Sequence, residues 1–209
     1  MQGKTLTRLA EVLRKGLDAD PIGPKERDAI RAAAENLFPG IEAAIREAFR
    51  RRGHSITPRV SLPPESRPET LTCFASLGFD LSAPLGLDHP SWQGLELGVY
   101  FGYDATGFRD RLVWGVSGYG DKEWVERSVG LLRPKRRSNE PFLRTGEPLF
   151  AGGEFGWYVL WAWDRPADSL AEADDEAVRT EVRSRLEQLV GRLVPSRSRA
   201  AASNGKKRG

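Results

Sequence analysis

The chain has 209 residues, 39% of them hydrophobic and 29% charged, with six Trp and nine Phe, which excludes wholesale disorder and sets an expectation of one compact domain. A single cysteine, Cys73, excludes an intramolecular disulfide, and no apolar run approaches the length of a membrane span, so a cytoplasmic address without export signal or anchor is expected. The net charge of +3 is unevenly placed: residues 195–209 carry five cations (Arg197, Arg199, Lys206, Lys207, Arg208) and no acid, leaving 27 basic and 29 acidic side chains in residues 1–194.

The first helix is predicted from Thr5 to about Leu17, where Leu6, Leu9, Val12, Leu13 and Leu17 fall on one helical stripe. Prolines and a glycine in the following DADPIGPKERD stretch stop it. A second helical pattern runs from Pro24 to about Arg52, with Ile30, Ala34, Leu37, Phe38, Ile41, Ile45 and Phe49 in phase across Pro39-Gly40, so one bent helix or two short ones would bury the same face. Residues 53–68 contain four prolines and read as a loop with one short edge strand within Ser55 to Leu62.

Beyond this loop the apolar period changes from helical to alternating. Leu71, Cys73, Ala75, Leu77, Phe79 and Leu81 form one face of a strand, and SAPLGLDHPSWQG reads as a connection. Two strands, Leu95 to Asp104 and Arg109 to about Ser117, are joined too closely for a parallel crossover and therefore pair as an antiparallel hairpin. Asp121 is placed to cap a short helix that ends before Pro134. Phe155 to Trp163 is apolar on both faces, as a central strand should be, and a last helix is predicted over about Asp168 to Leu193. The expected fold is therefore α+β: a mainly antiparallel sheet of four to five strands flanked by N-terminal helices and a long C-terminal helix. It fills residues 1–194, and a basic tail, residues 195–209, is expected to be disordered.

The hairpin holds the most informative chemistry. Leu95, Leu97, Val99, Phe101 and Tyr103 share one face with Leu112, Trp114 and Val116 of the partner strand. The opposite face carries Glu96, Gly98, Tyr100, Gly102 and Asp104 beside Arg109, Arg111, Val113, Gly115, Ser117 and Tyr119. Strand glycines often mark a close approach to the backbone. One reading is a groove floored by Gly98, Gly102 and Gly115, with Tyr100 and Tyr119 stacking on a ligand and Arg109 or Arg111 holding an anion. The other is that a helix of the chain packs there, with Glu96 and Arg111 forming a cross-strand ion pair.

Other motifs are weak. Gly115 to Gly120 has the order GxxGxG ahead of an acid, which suits a turn and a cap better than a phosphate loop. His54, His89 and Cys73 lack metal-ligand spacing, and Cys73 on an apolar strand face suits an inert thiol better than a nucleophile. No metal site and no cofactor are expected. Glu96 and Asp104 are the carboxylate candidates for hydrolysis, while Asp121-Lys122-Glu123 has nuclease residue types without the strand to carry them. Basic clusters occur at Arg50-Arg51-Arg52 with Arg59, in the loop bearing Arg133, Lys135, Arg136, Arg137 and Arg144, and in the tail. Arginine outnumbers lysine 25 to 7, which is compatible with planar phosphate or carboxylate recognition but, spread along the whole chain, is better explained by a GC-rich coding sequence. The first functional expectation is a non-enzymatic module contacting nucleic acid through its basic loop and tail. The alternatives are a protein-interaction subunit of a larger bacterial complex and a carboxylate-dependent hydrolase or nuclease.

Overall fold

A computed structural model of the chain describes residues 5–15, 23–63, 73–87, 94–102, 110–121, 123–124, 148–152 and 155–197. Its helices are α1 (Thr5–Lys15), α2 (Pro24–Arg51), α3 (Ser82–Leu85), α4 (Ala167–Glu172) and α5 (Asp175–Leu193). Its strands are β1 (Pro58–Ser61), β2 (Ala75–Asp80), β3 (Gly94–Phe101), β4 (Arg111–Asp121), β5 (Pro148–Gly152) and β6 (Phe155–Pro166). The strands form one sheet in the order β1-β2-β3-β4-β6-β5, with every pairing antiparallel. The α+β architecture is the one expected, and the short edge strands β1 and β5 bring the described sheet to six strands.

The helices cover one face. Leu6, Leu9 and Leu13 of α1, Leu37, Ile41, Ile45 and Phe49 of α2, and Val178, Val182 and Leu186 of α5 are buried with Leu77, Leu97, Val99, Phe101, Leu112 and Trp114 of the sheet. The Phe38 and Phe101 rings meet with centroids 5.1 Å apart, joining helix layer to strand layer. Helix α2 passes through Pro39 without ending. Its neighbour Gly40 has no side chain where Arg179 of α5 comes closest, since a Cβ there would lie 3.0 Å from the arginine Cδ.

Polar contacts fasten the helices to one another. Asp175 accepts hydrogen bonds from the Thr5 hydroxyl at 2.5 Å and Asn36 Nδ2 at 2.6 Å, and caps the start of α1 through the Leu6 N–H at 3.4 Å. The long C-terminal helix read from the sequence is interrupted at Ala173-Asp174. Asp174 is extended, and its carboxylate accepts the Ala177 N–H at 2.8 Å, so a new helix starts there.

The hairpin forms as expected, with Leu95 opposite Gly118 and Phe101 opposite Leu112. Strand β4 runs on to Asp121, whose carboxylate accepts the Trp124 N–H at 2.6 Å, the capping contact anticipated there. Strand β6 lies between β4 and β5, in the sheet interior. At the other edge β1 is only four residues long and begins at Pro58, and Pro63 follows it closely, features that discourage edge-to-edge pairing. Among the described residues no helix is long and apolar enough to cross a membrane.

Candidate functional site

The sheet face away from the helices holds a row of small residues. Gly78, Gly98, Gly115 and Ala162 are successive register partners across β2, β3, β4 and β6, and Arg59 of β1 stands opposite Gly78 at the edge of the row. The room over Gly78 and Gly98 is taken by the chain's own polar side chains. A Cβ on Gly98 would lie 2.5 Å from the Tyr100 hydroxyl oxygen and 2.6 Å from Cζ, so Tyr100 lies back along its own strand. A Cβ on Gly78 would overlap the Glu96 carboxyl group, and one on Gly94 would overlap the Tyr119 ring and hydroxyl. The glycines therefore exist for side chains laid flat on the sheet, an occupant neither sequence reading anticipated.

These side chains form a buried network. The Tyr100 hydroxyl donates to Glu96 Oε1 at 2.8 Å and is also hydrogen-bonded to Ser117 Oγ at 2.8 Å, while Ser117 is the register partner of Glu96 on β4. Glu96, Tyr100 and Ser117 are 6%, 3% and 1% exposed. Burial pushes the Glu96 carboxyl above the usual carboxylate range, opposed by the Tyr100 hydrogen bond and the charge on Arg59. At the β1 edge Arg59 hydrogen-bonds to Tyr119, which is the main reason its pKa is raised, and lies 3.5 Å from Asp80. Chemically this is a buried carboxyl hydrogen-bonded to one hydroxyl, which is hydrogen-bonded in turn to a second. Among the described residues no group of three or more His, Cys, Asp or Glu could hold a metal ion.

The Glu96–Arg111 ion pair read from the sequence does not form. Glu96 sits opposite Ser117, whereas Arg111 lies at the far end of β4, where its carbonyl accepts the Gly102 N–H at 2.7 Å. Arg111 is instead paired with Asp164 of β6, the first cause of its raised pKa, and lies 3.5 Å from Asp110. Arg59, grouped in the sequence with Arg50-Arg51-Arg52, belongs to the sheet network. Cys73 precedes β2 and is half-buried. Asp104, Arg109, Arg133, Lys135, Arg136, Arg137 and Arg144 lie outside the described residues, as do His89 and residues 198–209 of the tail.

A second constellation, not foreseen, lies where α2 ends. Arg52 donates through Nε to the Val190 carbonyl at 3.2 Å, through Nη1 to Ser196 Oγ at 3.1 Å, and through Nη2 to the Gly191 carbonyl. It thereby satisfies carbonyls in the last turn of α5, where a cation also suits the helix dipole. His54 Nε2 is 2.8 Å from the Pro195 carbonyl, and the Arg197 N–H donates to the Arg52 carbonyl at 3.0 Å. Gly53 adopts φ 78°, which favours glycine, and a Cβ there would lie 3.2 Å from Arg197 Cβ. The sequence signal was slight: an Arg-Gly-His triplet ending a helix, with nothing to name its partner.

No known protein family, curated protein or solved structure matches the chain.

Proposed function

We propose that this chain is a non-enzymatic module that binds the phosphate backbone of nucleic acid through a basic corner formed by the end of α2 and the root of the tail. The observation that carries this reading is the attachment of residues 195–197 to Arg52, Gly53 and His54, which puts the exposed Arg197 against Gly53 and the Arg52 carbonyl, the residues that directly follow the exposed Arg50 and Arg51. Two clusters that are far apart in sequence thus share one origin in space, and four more cations (Arg199, Lys206, Lys207, Arg208) follow within the next residues. Arg50 is held by Glu47 at 2.6 Å, an exposed pair of the kind worth little and easily exchanged for a phosphate. The slightly acidic body confines this attraction to the corner and tail, and with the basic loop from Arg133 to Arg144 it completes the inventory of candidate phosphate contacts.

The test is fluorescence anisotropy of a labelled 24-bp duplex over a salt series. Substituting all four tail cations after Arg197 by Gln should weaken binding at low salt and flatten the slope of log K against log salt by up to about 3 to 4, since each neutralised phosphate contributes about 0.9. Absence of any binding at low ionic strength removes the proposal.

One observation favours a second reading, a protein-interaction subunit: Val60 and Leu62 at the β1 edge are 52% and 40% exposed. Against it, two isolated apolar side chains beside prolines make a small target. The hydrolase reading draws least support, because the Glu96 carboxyl is buried and bonded to Tyr100.

A further inference from the structure

An open groove of about 490 Å³ lies along the outer side of α2 over its last three turns, and shares Arg50 with the basic corner. The left-handed turn at Gly53 returns the chain so that Ser55 and Ile56 form the opposite wall, and the His54 N–H fastens that turn to the Phe49 carbonyl at 3.1 Å. Pro39, Ala43 and Ile56 give the groove an apolar lining. Its volume falls within the range of about 300 to 1,000 Å³ in which pockets take small-molecule-sized groups.

The charges of the groove are arranged in two levels. Glu42 and Glu47 are 28% and 42% exposed, whereas Arg46 and Arg50 are 58% and 77% exposed, so the cations stand at the rim and the acceptors lie lower. The pairings differ as well. Arg50 takes both oxygens of Glu47, at 2.6 and 2.9 Å, while Arg46 meets only Oε1 of Glu42, at 3.2 Å. Glu47 thus orients Arg50, and Glu42 keeps Oε2 for a further donor. Arg46 and Arg50 follow Glu42 by four and eight residues, about 6 and 12 Å along the helix axis, which brackets the span from a phosphate to the pairing edge of its own base.

A duplex is poorly served by this order of charges. Its phosphates reach the rim, but its bases have given their pairing donors to one another, and its backbone cannot enter without approaching Glu42. A single strand can leave its phosphates on Arg46 and Arg50 and turn one base inward, where the apolar lining receives the ring and Glu42 accepts from the pairing edge. We infer that this groove reads an unpaired guanine in single-stranded nucleic acid, with Glu42 accepting from its N1–H and 2-amino group and Arg46 and Arg50 holding the flanking phosphates. This rests on the nucleic-acid reading and adds to it a strand form and a base. Guanine is selected because a carboxylate has acceptors only, and guanine alone sets two donors side by side on its pairing edge. Adenine and cytosine place a ring-nitrogen acceptor beside their amino group, and thymine and uracil hold an N–H between two carbonyls, so each of these also turns an acceptor toward the carboxylate.

The test titrates the full-length chain into labelled 12-nucleotide strands at low salt, followed by fluorescence anisotropy. The strands are all dT, or dT with one central dG, dA, dC or deoxyinosine, beside their ribose counterparts with uracil and a blunt 12-bp duplex. The strand with one dG should bind about tenfold more tightly than the all-dT strand and more tightly than the duplex, and loss of the 2-amino group in deoxyinosine should cost about threefold. A guanine preference in either sugar series meets the inference. Glu42→Ala should erase the preference and raise affinity for the all-dT strand, because it removes a negative charge from beside the phosphates. Glu42→Gln keeps the packing of the side chain and presents one acceptor oxygen; it should leave a preference of about twofold, and it decides the matter if Glu42→Ala lowers the melting temperature. Equal affinity for every base in both series, a preference that survives substitution of Glu42, or a duplex bound as tightly as the dG strand overturns the groove while leaving the nucleic-acid reading in place. Failure to bind any strand or duplex at low salt overturns both.

Discussion

The two faces of β3 and β4 are built from alternate residues of the same strands, and they are buried on different terms. Toward the helices, Leu95, Leu97, Val99 and Phe101 meet Leu112, Trp114 and Val116, and burial of apolar area is sufficient reason for the contact. Away from them, Glu96, Tyr100 and Ser117 are almost equally inaccessible, yet their burial is tolerable only because each polar group answers another across 2.8 Å. The first face would accept many residues of similar size. The second depends on particular atoms and on glycines that make room for them, so substitutions should separate the two by mechanism as well as by magnitude.

The largest effect belongs to the helix-facing side. Phe101→Ala removes a fully buried ring that packs on Phe38 and should destabilise by about 3 to 5 kcal/mol in denaturant unfolding. A loss below about 1 kcal/mol would mean that the helix layer does not rest on β3 as described. Next comes Gly98→Ala, which adds one methyl group to the opposite face of the same strand. That methyl would meet the Tyr100 hydroxyl at 2.5 Å and the Leu77 carbonyl at 2.9 Å, and the backbone carbonyl cannot turn aside. Overpacking of this kind costs about 1 to 3 kcal/mol, and Tyr100→Ala should recover only part of it. If Gly98→Ala is neutral, Tyr100 does not lie over the strand and the contrast between the faces fails.

Much of the apolar side was legible in the sequence, because period alone assigns Leu95, Leu97, Val99 and Phe101 to one face and the short connection forces an antiparallel pairing. The helix break at Ala173-Asp174 was not, since Asp174, Asp175 and Glu176 stand in succession and pattern does not say which of them is the cap. Asp174 caps α5, while its neighbour Asp175 reaches across to the start of α1. The polar side was half legible. Sequence located Glu96, Tyr100 and Ser117 on one face, but residues four apart on a strand are separated by about 13 Å, which argues against contact. Gly98 between them is the missed clue, because a tyrosine can lie flat over a residue that has no Cβ and so close that distance. The corner at Arg52 was illegible: its contacts join residues more than 130 positions apart, and they are made largely to backbone carbonyls, which leave no mark in composition.

The smallest expected effect sharpens the contrast most, because it has the opposite sign. In the fold, burial raises the Glu96 carboxyl above its ordinary value of 4.5, against the Tyr100 hydrogen bond and the Arg59 charge, with Asp80 adding to the rise. An acid whose pKa is higher folded than unfolded binds its proton more tightly in the native state, so stability falls as pH rises from the unfolded value through the folded one. Above that window the natural chain carries a buried charge; below the unfolded value both states are protonated and the penalty vanishes. Gln at this position keeps an oxygen to accept from Tyr100 and never ionises. Glu96→Gln should therefore melt above the natural chain at about pH 8 and lose that advantage as the pH approaches about 4, measured by thermal unfolding across the series. A variant that melts lower at pH 8 would mean that Arg59 and Tyr100 together favour the carboxylate over the neutral acid, making the sheet's polar face an ion-pair network and not a set of neutral hydrogen bonds.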